Sequence, residues 1–334
     1  MKADLVVYDE MSVIYYADGS RKPIEYTTAS LTQKALGGTE FEILLLMDEY
    51  AKLGKTVICF NNNQFASEHN GIKFIPRQHL PNLNVSCKNL ITSRYSQIPS
   101  TISFDQCILW MHDVALPRAI HFDKYLSNQD KYSIVCPSEW SRSLFPKSWK
   151  ASVIPNMIPD WVYSYPIQKK QGCVYASAAL KGLEPTLEFW NFINSQKISE
   201  PTPLTNHSQL KILSPGYDTP DKNHFPNISN IEFLGALPFH KVVHEIAKSE
   251  FLFYVNDMPE TFCIVAVLAE ILKTKVRILT LRGGGALPET INTHVYTDYI
   301  DFIDSFNTFV HEPEIEAKDY RISTIFPLWQ SLLK

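Results

Sequence analysis

Residues 251–270 read F-L-F-Y-V-N-D-M-P-E-T-F-C-I-V-A-V-L-A-E. The apolar run Phe251 to Val255 predicts a strand buried on both faces, an Asn-Asp-Met-Pro turn follows it, and Phe262 to Lys273 predicts an apolar helix. A strand, a turn and a helix in that order are the repeating unit of parallel sheets covered by helices. Glu260 stands just before the helix. There a carboxylate can accept bonds from hydroxyl groups while backbone N–H groups face an anion, although a helix-capping glutamate accounts for the same placement.

The unit recurs in both directions along the chain. Around it lie candidate strands at Cys173 to Ala176, Leu210 to Leu213, Ile231 to Leu234, Arg277 to Leu281 and His294 to Tyr296. Helices are expected at Leu183 to Ile193, Pro238 to Lys248 and Tyr299 to Val310, with a partly helical tail from Glu314 to Leu333 interrupted at Pro327. The stretch Pro155 to Gly172, with three prolines and a Lys-Lys pair, reads as a linker. Before it come strands at Leu5 to Tyr8, Thr56 to Phe60, Ile72 to Ile75, Cys107 to Met111, Ser133 to Cys136 and Ser152 to Ile154, and an amphipathic helix from Thr39 to Leu53 that stops at Gly54. The expectation is an α/β chain of two Rossmann-like, doubly wound domains, 1–160 and 161–312, with a helical tail at 313–334 packing back on the first. Two such domains facing across a cleft bind ligands at the carboxyl ends of their strands.

Composition agrees with two domains: 334 residues at about 150 per domain, 45% of them hydrophobic. Lys+Arg 31 against Asp+Glu 35 leaves a net charge of −4, with no basic excess for a nucleic-acid partner. The longest apolar stretch, Cys263 to Ala269, falls far short of the ~20 residues of a membrane span. The opening Met-Lys-Ala-Asp has no signal-peptide pattern, so a soluble, cytoplasmic protein is expected. Six widely spaced cysteines in apolar runs read as reduced core thiols, and the sequons at Asn84, Asn206 and Asn227 then carry little weight.

Several motifs sit where strands are expected to end. Leu36-Gly37-Gly38-Thr39-Glu40 runs into the first long helix; paired glycines there admit a phosphate close to the backbone, or form a plain turn with Thr39 as N-cap. Ile108-Leu-Trp-Met-His112-Asp113 ends a buried strand in two ionisable residues, and a histidine there can bond a substrate hydroxyl or cap a loop through its aspartate. Val174-Tyr-Ala-Ser177-Ala-Ala-Leu-Lys181-Gly182 leads from a strand to a lysine that suits a diphosphate or a solvated surface. Arg282-Gly-Gly-Gly-Ala286 says only that the chain turns. His240 and His244 share a helix face without a third ligand, and no D-x-D pair or G-x-S-x-G elbow occurs, so no metal and no cofactor is expected.

Taken in order, the glycine pair, W-M-H-D, V-C-P-S-E-W-S-R-S-L-F, V-I-P-N, Y-A-S-x(3)-K-G-L, F-L-G, P-E-T-F-C and G-G-x-L-P-E resemble the retaining glycosyltransferases of family 4, which have the GT-B fold. The resemblance implies a metal-independent hexosyltransferase whose donor is a nucleotide-diphosphate sugar, GDP-mannose first, and whose acceptor is a glycan or other hydroxyl compound. By matching position, Gly37 and Gly38 would touch the diphosphate or sugar and His112 the sugar near its reacting carbon. Lys181, with Ser177 beside it, would hold the diphosphate, Glu260 the sugar hydroxyls, and the backbone of Thr261, Phe262, Cys263 and Ile264 would lie close behind. Gly235 to Leu237 would lie near the base. Two departures stand out. Leu268 occupies the second position of the family's E-x(7)-E motif, the nearest acid, Glu270, being about 200 degrees further round an ideal helix. The arginine that many relatives carry before the lysine is absent. A noncatalytic nucleotide-sugar or glycan-binding protein and a UDP-sugar epimerase therefore stay open as alternatives, as does a homodimer.

Overall fold

The computed structural model describes residues 1–15, 20–94, 96–114, 128–195, 209–218, 228–256, 258–305 and 315–333. The sequons at Asn206 and Asn227, and the end of the helix expected from Tyr299, lie outside them. The chain divides into two units, one made of Met1–Met157 with Tyr320–Lys334, the other of Ile158–Asp319.

The sheet of the first unit runs Ala151–Val153, Tyr132–Cys136, Ile102–Trp110, Val85–Ser93, Lys2–Tyr8, Val57–Asn61, Ile72–Pro76, Ser67–His69 from edge to edge. Every neighbouring pair is parallel except the last. Numbered along the chain, the parallel strands lie in the order 3-2-1-4-5-6-7. The order reverses between Lys2–Tyr8 and Val85–Ser93, and a ligand crevice forms at such a switch. Val6, Leu90, Cys107, Leu109 and Ile134 pack into one core cluster on the sheet. A short antiparallel pair, Val13–Tyr15 with Arg21–Pro23, leads out of the first strand.

The second unit repeats the plan: Ile231–Ala236, Leu210–Ser214, Cys173–Ala176, Phe251–Asn256, Lys275–Thr280, Val295–Tyr296, all parallel, order 3-2-1-4-5-6. Its switch falls between Cys173–Ala176 and Phe251–Asn256. The helices at Leu183–Ser195, Phe239–Lys248 and Ile264–Ile271 lie within a few residues of their expected bounds.

One strand goes unmarked in the sequence and two local expectations are corrected. Val85–Ser93, where no strand is expected, is a central strand paired on both sides. Its buried Asn89, Thr92 and Ser93 disguise it, because a strand with polar groups inside breaks the apolar run that marks one. The C-terminal helix, Ile322–Leu332, continues through Pro327 instead of stopping there. Asp160–Tyr163 forms a helical turn inside the stretch read as a linker. The six cysteines are free and buried, as the apolar runs around them imply. Among the described residues no helix is long and apolar enough to cross a membrane.

Candidate active site

In the second unit, the loops that leave the two switch strands meet. Lys181 Nζ donates to Glu260 Oε2 at 2.8 Å, and Tyr254 donates from its hydroxyl to Glu260 Oε1 at 3.1 Å. Glu260 is 5% exposed, so its carboxylate is offset by these partners more than by water. Burial works against the charge on Lys181, but the neighbouring Glu260 carboxylate outweighs it and holds the ammonium above its ordinary range. The lysine is cationic at every physiological pH.

Two tyrosines, one from each switch strand, organise this pair. Tyr175 donates to the carbonyl of Ala178 at 2.7 Å, which fixes the turn carrying Lys181, and its ring meets that of Tyr254 edge to face at 5.5 Å. Leu180 N donates to Asp218 Oδ2 at 3.1 Å, so the loop after Leu210–Ser214 buttresses the same turn. Neither tyrosine was singled out in the sequence, where both look like strand core; the polar tip on a buried ring is the only signal they offered.

The Arg282–Gly285 loop proves to be part of the site. Gly285 forms a parallel bridge with Glu260, and Ala286 N donates to Glu260 O at 2.8 Å. A Cβ on Gly285 would stand 2.3 Å from that oxygen, so this residue is glycine because two backbones touch here. Cys263 adopts φ 69°, ψ 71° as the N-cap of Ile264–Ile271, a left-handed conformation that non-glycine residues seldom take. Thr261, Phe262, Cys263 and Ile264 follow Glu260 directly, with Phe262 and Cys263 buried. Ser177 lies half-buried with its Oγ 3.5 Å from the Tyr254 hydroxyl. Gly235 and Leu237 lie at the carboxyl end of the edge strand Ile231–Ala236, two strands from the switch, and Gly235 has φ +69°.

The second acid is not replaced. Leu268 is buried in its helix, and Glu270 Oε1 accepts from Asn292 N at 2.8 Å and from Thr293 N and Oγ1 at 2.6 and 2.7 Å, anchoring the loop before Val295–Tyr296. His244 Nδ1 lies 2.9 Å from the Tyr165 hydroxyl, a contact within the unit. Among the described residues no group of three His, Cys, Asp or Glu could hold a metal ion.

In the first unit Gly37 is the N-cap and Gly38 the first residue of the Gly38–Lys52 helix. Gly37 has φ −71°, ψ 160°, open to any residue, so the turn itself does not require glycine there. His112 follows the strand Ile102–Trp110, is 7% exposed, and packs its ring 4.5 Å from that of Trp110. Burial, then the charge of Arg94, push its pKa down to about 3. The imidazole is therefore neutral in the folded protein, able to give or take a hydrogen bond but carrying no charge. Because the folded pKa is depressed, the stability this brings is present above pH 6.5 and is lost as the pH falls toward 3. Between pH 6.5 and 5 the loss attributable to His112 is about 2 kcal/mol. Urea unfolding of the protein and of His112→Gln at both pH values should show the variant less acid-sensitive by that amount; equal slopes would mean that the histidine is charged when folded.

No family model and no curated protein matches the sequence. Solved structures do match the fold. A glycosyltransferase from Rickettsia africae superposes with TM-score 0.61 at 11% identity over 99% of this chain and 98% of that one. HepE of Anabaena, solved with UDP and glucose, gives 0.60 at 11% identity over 100% and 99%. A UDP-forming α,α-trehalose-phosphate synthase from Burkholderia vietnamiensis gives 0.64 at 9% identity over 100% and 99%. Two Rossmann-type units in one chain, one wound 3-2-1-4-5-6-7 and the other 3-2-1-4-5-6, form the class. More particularly, this is the GT-B fold of those glycosyltransferases.

Proposed function

We propose that the protein is a retaining GT-B glycosyltransferase of the family 4 kind, moving a hexose from a nucleotide-diphosphate sugar to a glycan or other hydroxyl acceptor without a metal. The observation that carries this reading is the Lys181–Glu260 pair at the strand-order switch of the second unit. A cation and a buried carboxylate side by side match the two ends of such a donor: Lys181 faces the charge that grows on the departing diphosphate, and Glu260 accepts from sugar hydroxyls. Each carboxylate oxygen has two lone pairs, so the bonds to Lys181 and Tyr254 leave room for them. In this reading Ser177, Gly235, Leu237 and the backbone of 261–264 contact the donor, and Gly37, Gly38 and His112 keep the roles that the family resemblance gives them. GDP-mannose is the first donor to try; UDP-glucose joins it because HepE was solved with UDP and glucose.

Titration calorimetry against UDP-, GDP- and ADP-sugars in EDTA, on the protein and on Glu260→Ala, tests the reading. One donor should bind and weaken in the variant. Release of the sugar with its anomeric configuration kept, followed by NMR, would mark the retaining reaction, and inversion would overturn it. Tyr254→Phe removes one bond to a charged carboxylate and is expected to weaken donor binding about tenfold with the fold intact; unchanged affinity would show the hydroxyl to be idle.

One observation favours a second reading. Leu268 leaves the ribose without its usual carboxylate, and Glu270 is committed to Asn292 and Thr293. A binding protein that holds a nucleotide sugar without turning it over fits that loss. Donor binding with no transfer or hydrolysis would select it.

A further inference from the structure

The carboxyl edge of the first unit holds a buried ionic network that the reading above does not use. Arg94, which follows the disguised strand Val85–Ser93, donates from Nη2 to Glu40 Oε1 at 2.6 Å and from Nη1 to Met11 O at 2.9 Å. Glu40 is fully buried and lies in the first turn of the helix that Gly37 and Gly38 open. Ser12 Oγ stands between Glu40 Oε1, at 2.7 Å, and Asp9 Oδ2, which also accepts from the Tyr26 hydroxyl at 2.7 Å. Asn62 Nδ2 donates to Ser12 O at 2.9 Å, and Asn61 Nδ2 to Tyr26 O at 3.0 Å.

These groups come from the ends of three adjacent strands and from the helix start. The helix has no side-chain N-cap, so nothing on Gly37 itself holds its first turn. The fork of Arg94 grips the turn instead, joining it to the loop after Lys2–Tyr8. Burial opposes the charge on Glu40, but Arg94 and Ser12 outweigh it and keep the carboxyl below its ordinary range. The pair is thus ionic inside the protein, where removing one partner is far more costly than removing both.

We infer that Arg94 is a positioning residue: through Glu40 it fixes the Gly37–Gly38 turn at the strand-order switch of the first unit, ready for the donor's diphosphate or sugar. This deepens the glycosyltransferase reading and rests on it for the identity of that ligand. Arg94 itself touches no substrate; it acts through the turn.

The test compares the parent protein with Arg94→Met and with Arg94→Met/Glu40→Gln, in which both charges of the Arg94–Glu40 pair are removed. Hydrogen exchange is read at the amide of Phe41, which donates to Gly37 O at 3.0 Å, and at the helix amides of 42–44 that follow it, against those of Val57–Asn61 in the sheet of the same unit. In the double variant, exchange at 41–44 should rise at least tenfold while Val57–Asn61 stays protected. Parent-like exchange at 41–44, or a rise everywhere, would overturn the inference. Turnover supplies the second readout. If the turn is positioned by Arg94, kcat falls at least tenfold in the double variant, with donor KM nearly unchanged because the second unit carries donor affinity; full recovery of kcat would reduce the pair to a structural contact. A parent that neither binds nor turns over any nucleotide sugar would sink the functional reading, and the exchange result alone would then decide the role of Arg94.

Discussion

Replacing Lys181 by methionine is expected to lower the rate of sugar transfer or donor hydrolysis by about 10²- to 10³-fold, the usual cost of losing one preorganised group facing transition-state charge. In the proposed reaction the difficult step is departure of the nucleoside diphosphate, and no arginine stands in the few residues before Lys181 to share its charge. Methionine keeps the length and apolar stem of the side chain, so the packing of the 179–181 turn survives. The variant leaves Glu260 facing one partner, Tyr254, instead of two. Lys181→Met/Glu260→Gln, which removes the unpaired charge, therefore serves as the control for stability. Single-turnover rates with saturating donor are the measurement. A Lys181→Met rate within threefold of the parent would take the lysine out of the reaction.

The second large effect is on stability. Gly285 has φ +63°, and an added Cβ would stand 2.3 Å from Glu260 O and 2.7 Å from Glu260 N. Gly285→Ala should destabilise the second unit by about 2–5 kcal/mol, the sum of left-handed strain and overpacking. Gly283 supplies the comparison within the same loop: its φ is +81°, but nothing lies within 4 Å of its Cβ position. Gly283→Ala should cost only about 1–2 kcal/mol of conformational strain. Urea midpoints of the two variants decide the matter. Equal losses would mean that the bridge to Glu260 is not what requires glycine at 285.

Much of this was legible from the chain. Continuous apolar runs such as Phe251–Val255 mark strands covered on both faces, and the helices between them follow from period and caps. Lys181 and Glu260 were picked out separately, each with a bland alternative. What sequence could not supply was their contact, because it arises from strand order, which brings Cys173–Ala176 beside Phe251–Asn256 although a long segment separates them. Val85–Ser93 escaped for a different reason. Its buried polar residues Asn89, Thr92 and Ser93 break the apolar run; Asn89 Nδ2 donates to Asp4 O at 3.2 Å, while the Thr92 and Ser93 hydroxyls are buried without a hydrogen-bond partner among the described residues, and pattern reading sees only their polarity. With that strand went Arg94, and with Arg94 the ionic network of the first unit. Glu40 and Glu42 were equally opaque: a helix that buries Glu40 under Arg94 and Glu42 against the Met157 N–H at 2.8 Å carries two acids on faces where periodicity expects oil.

The first unit closes on itself through its last segment. Trp329, fully buried, meets Trp110 edge to face at 4.6 Å, and Trp110 in turn packs on His112. During synthesis on the ribosome the whole of the second unit is made between those two tryptophans. The second unit can finish folding while the first, begun earlier, still waits with the Trp110 side of its central sheet uncovered. Order of completion is thus the reverse of order of initiation. A nascent chain stalled before Trp329 would present an apolar tryptophan face to chaperones.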